Sequence, residues 1–107
     1  MAKQSVRRPA KKLENIRSLW ADKTPETASI VEIDWVDITQ YENWNTDQEL
    51  ELAAFTTLGY LLYEGKDPID PTLKIMVLAL TYEPKTRRWA DYLMLPAAVI
   101  RETREIA

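Results

Sequence analysis

Residues 72–83 read TLKIMVLALTYE, and most positions in this stretch are apolar. Successive side chains of a β-strand point to opposite faces of the sheet. Ile75 and Val77 would therefore lie on one face, and Met76 and Leu78 on the other. Apolar residues on both faces are typical of a central strand covered on both sides, or of a strand buried in a subunit contact. The stretch predicts a strand near the middle of a sheet.

A second strand is predicted at SIVEIDWVDI, residues 29–38, where apolar and polar side chains alternate. Val31, Ile33 and Trp35 share one face, whereas Glu32 and Asp34 share the other. This period of two is that of a half-buried strand. We expect Trp35 to face the core beside Val31 and Ile33.

The remaining elements follow from turn residues and periodicity. They are strands at 58–65, 89–95 and 100–106, a helix at about 47–54, and a helical turn after Pro96. Thr46 and Glu49 stand in the capping-box relation that begins the helix. The spacing in 100–106 fits a helix about as well, but the strand is preferred because the sheet edge needs cover. The fold class is mainly β: a small, partly open five-stranded antiparallel barrel, SH3-like or Sm-like, with one short helix.

The charge is divided along the chain. Residues 1–28 carry seven basic and three acidic side chains, a net charge of +4, whereas residues 29–107 carry −7. We expect a flexible basic arm at 1–28 and one barrel domain at 29–107. Within the arm, Leu13, Ile16 and Trp20 have helical spacing, which predicts a short amphipathic helix over 11–20. Three interpretations stay open: the helix rests on its own domain, the helix docks on a partner protein, or the basic cluster before it contacts nucleic acid phosphates.

The chain has no cysteine and no histidine. This composition excludes disulfides, zinc fingers, thiol nucleophiles and histidine-based triads. No catalytic base or nucleophile stands out, so we expect a protein that is not an enzyme and needs neither a cofactor nor a metal. No apolar run is long enough to cross a bilayer, and the basic start lacks the apolar core of a signal peptide. A soluble, cytoplasmic protein is therefore expected.

Two groups of residues are candidate sites. Arg87, Arg88 and Trp89 could hold phosphate and stack on a base, as an anion or nucleotide site. The alternative is an ordinary hairpin end, with Trp89 facing inward in line with Leu93 and Leu95, and the acidic body favours it. Tyr41 and Trp44 lie in a polar loop, where they either cover the core or form a binding patch.

Four stretches resemble a group of small phage and prophage proteins: IDWVDI (33–38), YENW (41–44), LGYLLYE (58–64) and LMLPAAVI (93–100). Those proteins share a first strand with Trp-Asp, a second Trp, a glycine-marked strand and a proline-containing close. The resemblance implies the fold and a viral or prophage origin. The basic extension departs from the group, as does the Leu-Pro pair where the group has Ile-Pro.

The expected function is a non-enzymatic protein-binding module, acting on a host or virion component from the bacterial cytoplasm or the virion. Leu13, Ile16, Trp20, Tyr41 and Trp44 are its candidate contacts. The alternative is a small barrel that binds nucleic acid or a nucleotide-type ligand. We also expect self-association, with a dimer as the first choice, because one barrel can hide only the inner face of residues 72–83.

Overall fold

The computed structural model describes residues 16–37 and 53–107, which form one antiparallel sheet of five strands. The strands are β1 (Ile30–Asp37), β2 (Ala53–Lys66), β3 (Lys74–Glu83), β4 (Arg88–Pro96) and β5 (Ile100–Glu105). Two short 3-10 helices, Ser18–Trp20 and Ala97–Val99, are also present, and the two described residues before the first, Ile16 and Arg17, are α-helical. The prediction of a mainly β fold is confirmed, as is the choice of strand over helix at 100–106.

The order of strands in the sheet is β4-β3-β2-β1-β5. Every pair of neighbours is antiparallel, and β3 lies between β4 and β2 as its two apolar faces predicted. The strands β4 and β5 are the two edges, and no backbone ladder joins them. The sheet is therefore not closed into a barrel by hydrogen bonds.

Two irregularities bend the sheet. The register between β2 and β3 shifts between Leu61 and Tyr63, and that between β1 and β5 shifts between Asp34 and Trp35. A bulge of this kind increases the local twist of a strand. At the far end, β4 ends at Pro96 and the 3-10 helix Ala97–Val99 follows. Proline lacks the N–H that a ladder needs, which explains why the strand stops there.

The two faces of the sheet carry separate apolar clusters. The inner cluster consists of Val31, Ile33, Met76, Leu78, Leu95 and Val99. The outer cluster consists of Ile16, Trp20, Ala28, Leu62, Ile75, Val77, Ala79 and Trp89. Trp35 is half-buried and packs against the inner cluster, on the same side as Val31 and Ile33. Strand β3 contributes to both clusters, so neither of its faces is left open along residues 75–79.

Residues 16–28, here called the N-terminal segment, cover the outer face. Ile16 and Trp20 are 3% and 5% exposed and belong to the outer cluster. The stretch after them is a compact turn, in which the amides of Thr27 and Ala28 both donate to the carbonyl oxygen of Thr24. For Ile16 and Trp20 the sequence left open a contact with the chain's own domain and a contact with a partner protein, and the described residues show the first. The cause is the apolar outer face of β3, which the N-terminal segment removes from water.

Two local predictions are also corrected. The helix predicted at 47–54 is wrong at its end, because Ala53 and Ala54 already pair with β1 as the start of β2; its other residues lie outside the described ranges. Trp89 was expected on the same face as Leu93 and Leu95, but it lies in the outer cluster. Asp91 stands between them with a φ of 58°. This left-handed backbone interrupts the alternation of an extended strand, and the residues on either side of it face different clusters.

Candidate functional site

A groove of about 350 Å³ lies between the N-terminal segment and the β3–β4 hairpin. We call it the arginine groove. It is lined by Arg17, Trp20, Ala21, Arg87, Arg88, Trp89 and Tyr92. Three guanidinium groups and three aromatic rings thus come from two parts of the chain that are far apart in sequence. The volume is within the usual range of small-ligand sites, roughly 300–1,000 Å³.

Trp89 joins the two walls of the groove. Its indole Nε1 donates to the carbonyl oxygen of Lys23 over 3.0 Å. Its ring packs against Tyr60 and Tyr82, with centroid separations of 5.1 and 4.7 Å. The indole N–H is the only hydrogen-bonding group of a tryptophan side chain, and the N-terminal segment occupies it. Trp89 is 6% exposed, so it supports the groove and leaves little of its face for stacking.

The accessible ring of the groove belongs to Tyr92. This side chain is 41% exposed, and its ring lies 5.7 Å from that of Trp20 at a tilt of 46°. Trp20 itself is buried, and its ring contact with Tyr92 helps to fix the position of that side chain. The sequence had assigned stacking to Trp89, and Tyr92 was missed because its place depends on the break in alternation at Asp91. A ligand ring would therefore meet Tyr92.

The arginines of the groove are exposed at its rim. None of Arg17, Arg87 and Arg88 forms a hydrogen bond or an ion pair with another side chain of the described residues. Glu83, which faces Arg88 across the hairpin, instead accepts a hydrogen bond from the hydroxyl of Thr86. Arg88 therefore forms no ion pair with Glu83. Within the described residues, the N–H donors of the three arginines are available to an anion.

Arg87 adopts a left-handed backbone, with a φ of 57°. A residue with a β-carbon pays roughly 1–2 kcal/mol for this conformation, which glycine or asparagine adopts more easily. An arginine in such a position of a tight hairpin contradicts the local preference of the chain. Residues held in this way occur often at binding sites, where the side chain matters more than the turn.

A smaller apolar notch of about 160 Å³ continues from the arginine groove beneath the N-terminal segment. It is lined by Ile16, Arg17, Trp20, Val77, Tyr92 and Met94. Arg17, Trp20 and Tyr92 line both cavities, so these residues form the boundary between them. The polar groove and the apolar notch together make one continuous depression on the outer side of the sheet.

The other candidate contacts are placed differently. Ile16 and Trp20, proposed as anchors for a partner protein, are buried against the chain's own sheet and are not available for such a contact. Leu13, Tyr41 and Trp44 lie outside the described residues. Of the candidates for anion binding, Arg87 and Arg88 reach the groove, joined by Arg17, which the sequence had counted only as part of the basic arm.

On the β1–β5 surface a further arginine is fully engaged. Arg104 donates from both terminal nitrogens to Asp34 at 2.9 Å, and from Nε to Glu32 at 2.8 Å. The hydrogen bonds from Arg104, followed by one from Thr56, lower the pKa of Asp34 below its usual value of 3.8. The hydrogen bonds to Asp34, followed by that to Glu32, raise the pKa of Arg104. The carboxylates balance the charge of Arg104, whereas the arginines of the groove have no carboxylate partner among the described residues.

A metal-holding cluster and a membrane-spanning helix are both absent from the described residues. No three carboxylates in residues 16–37 and 53–107 are placed to hold a metal ion. Asp67 and Asp70 serve the turn after β2, where Asp67 accepts from the amide of Ile69 and Asp70 from that of Thr72. Within those ranges no helix has the length and apolar character needed to cross a bilayer.

Comparison of the chain with protein-family models, with curated proteins and with solved structures gives no match.

Proposed function

We propose that this protein is a small SH3-like or Sm-like domain that binds single-stranded nucleic acid in the arginine groove and catalyses no reaction. The observation that carries the proposal is that three guanidiniums with no side-chain partner among the described residues meet the exposed ring of Tyr92 in one depression. Such a site takes a phosphate and a base at the same time. The alternative that the sequence offered, a barrel for nucleic acid or a nucleotide, thus becomes the leading function.

The phosphate would be bound by Arg87 and Arg88 from the hairpin and by Arg17 from the facing wall. A guanidinium presents its N–H groups in a planar fork that matches two phosphate oxygens. None of the three has to give up a carboxylate partner within the described residues before it meets the ligand. This supports the choice of an anionic ligand over a neutral one.

The base would stack on Tyr92. Stacking of a base on an aromatic side chain contributes roughly 1–3 kcal/mol and depends little on the identity of the base. Trp20 and Trp89 hold the neighbouring surfaces in place, and the indole N–H of Trp89 is already bonded to Lys23. We therefore expect binding with little sequence preference.

The fold supports the same proposal. The strand order β4-β3-β2-β1-β5 and the 3-10 helix between the last two strands suit a small, partly open barrel of the SH3-like kind. Small barrels of related design bind oligonucleotides. Residues 29–107 carry a net charge of −7, which opposes the binding of a long polyanion. The contact should therefore be short and confined to the groove.

Protein docking has lost its main support. It relied on Leu13, Ile16 and Trp20 acting together as the apolar face of a docking helix, and two of these residues now belong to the outer cluster. Self-association, with a dimer as the first choice, stays a prediction. A phage or prophage origin and a place in the host cytoplasm or the virion stay predictions.

The test is a titration of a fluorescent oligothymidylate of about ten nucleotides, followed by anisotropy at several salt concentrations. If three phosphate contacts form, the slope of log K against log salt should be about −2 for a single strand. Arg88→Ala should weaken binding and reduce the size of that slope by about 0.7. Tyr92→Ala should weaken binding by roughly tenfold or more and leave the slope unchanged.

The matched control is Arg101→Ala, which removes an exposed arginine from β5, outside the groove. It should bind like the unaltered chain. Thymidine monophosphate serves as a competitor, because tight competition would assign the site to a free nucleotide rather than to a strand. If Arg88→Ala and Arg101→Ala weaken binding equally, the arginine groove is not the site.

A further inference from the structure

The two walls of the arginine groove come from parts of the chain that are far apart in sequence and share no backbone ladder. Arg17 and Trp20 belong to the N-terminal segment, whereas Arg87, Arg88 and Tyr92 belong to the β3–β4 hairpin. The groove exists only while the N-terminal segment lies on the sheet. Docking of that segment and occupation of the groove are therefore not independent.

We infer that the N-terminal segment is a mobile half of the site: its docking completes the groove, and a bound phosphate strand locks it in place. This inference rests on the proposed function and adds its regulation. The ligand would bridge Arg17 on one wall to Arg87 and Arg88 on the other. A ligand that binds only the docked form must stabilise docking by the amount of its own binding.

The hydrogen bonds of the N-terminal segment make it a separate unit. The amides of Lys23, Thr27 and Ala28 all donate within the segment, to the carbonyl oxygens of Trp20 and Thr24. The segment adds no strand to the sheet. Its attachment includes buried Ile16, Trp20 and Ala28, the ring contact of Trp20 with Tyr92 and the hydrogen bond from Trp89 to Lys23. It can lift away without breaking a backbone ladder, and such units open locally before the whole domain unfolds.

Ile16 is a positioning residue in this scheme. It is 3% exposed, belongs to the outer cluster and does not line the arginine groove. Its burial places the next residue, Arg17, at the rim. Loss of that burial should lower the affinity for a phosphate strand, although no group that contacts the strand has changed.

Hydrogen exchange tests the coupling with the same oligothymidylate at about 100 times its Kd. The amides of Lys23, Thr27 and Ala28 should exchange about 100-fold more slowly, since opening of the segment requires release of the ligand. The amide of Ile106, which donates to Ile30 beside the edge strand β5, should be unaffected because that edge frays without opening the groove. Binding with unchanged exchange at the three segment amides would overturn the inference, because the strand would then lie on the hairpin alone.

A variant gives an independent result. Ile16→Lys adds a positive charge, which by electrostatics alone would tighten the binding of an anion. Coupling predicts the opposite: a lysine is poorly accommodated in the outer cluster, the segment undocks, and affinity falls at least tenfold. Ile16→Val keeps the apolar contact and should bind nearly as well as the unaltered chain. Equal or tighter binding by Ile16→Lys would overturn the coupling but not the function, whereas absence of binding by the unaltered chain would overturn both.

Discussion

Along residues 75–79 both faces of β3 are buried, but by different means. The inner cluster is covered by other strands of the same sheet and by the 3-10 helix Ala97–Val99, and all of its residues except Val99 lie in strands joined by backbone ladders. The outer cluster is covered largely by the N-terminal segment, which shares no ladder with the sheet. Equal burial therefore does not mean equal contribution to the cooperative fold. We expect the inner cluster to contribute most of the stability of the domain. The outer face holds the arginine groove and the N-terminal segment, which can undock.

The largest expected effect compares one isoleucine from each cluster. Ile33 is 0% exposed in the inner cluster and Ile16 is 3% exposed in the outer one. Ile33→Ala should lower the free energy of unfolding by roughly 2–5 kcal/mol, the range for emptying a buried aliphatic site. Denaturant unfolding with an unchanged m-value measures this loss.

Ile16→Ala is the matched variant. We expect less than half of the loss found for Ile33→Ala, because the N-terminal segment can undock while the sheet stays folded. Faster hydrogen exchange at the amides of Lys23, Thr27 and Ala28 should accompany the change. Equal losses of stability for the two variants would show that both clusters unfold as one unit, and the difference between the faces would disappear.

A smaller effect, a gain of stability, is expected in the β3–β4 hairpin, which forms one wall of the arginine groove. Arg87→Gly relieves the left-handed backbone, and after the entropy cost of glycine in the unfolded chain the variant should be about 0.5–1 kcal/mol more stable. Arg88→Gly is the matched control in the extended part of β4, and it should be destabilised by a similar amount. Both should bind the oligothymidylate more weakly. An Arg87→Gly variant that gains no stability would remove the evidence that this arginine is kept for binding.

The smallest effect is expected on the surface formed by β1 and β5, where ion pairs and hydrogen bonds rather than apolar contacts join the strands' side chains. The folded state lowers the pKa of Asp34, so the carboxylate contributes stability to the fold above its usual pKa of 3.8. That stability is lost as pH falls through the lowered pKa. Asp34→Asn should therefore have a lower Tm than the unaltered chain at pH 6, and the two Tm values should converge in strong acid. Asp22→Asn, which removes an exposed carboxylate of the N-terminal segment, is the control and should leave the Tm at pH 6 unchanged.

The strands were predictable because each carries its own pattern. The apolar residues on both faces of 72–83 predicted a strand covered on both sides, and Pro96 predicted the end of β4. What covers the outer face could not be read in this way. The helical spacing of Ile16 and Trp20 shows that they need an apolar partner, but it does not distinguish the chain's own sheet from another protein.

The groove was harder to predict for a related reason. Arg87 and Arg88 were recognised, but Tyr92 and Arg17 join them only through the tertiary structure. The period of two placed Trp89 with Leu95, and the reversal at Asp91 leaves no signal in hydrophobicity, because an aspartate in a strand is usually just an exposed polar residue. A left-handed residue inside a strand is a departure that regular patterns cannot contain.

The position of β1 between β2 and β5 has a consequence for the order in which the domain assembles. The contact of Arg104 with Asp34 joins residues 70 apart in sequence, whereas that of Thr81 with Asp91 joins residues 10 apart. Closing the longer loop costs about 1.7 kcal/mol more in chain entropy. The β3–β4 hairpin should therefore form in the folding transition state, with β5 added after it. Substitutions in the hairpin should mainly slow folding, and those in β5 should mainly speed unfolding.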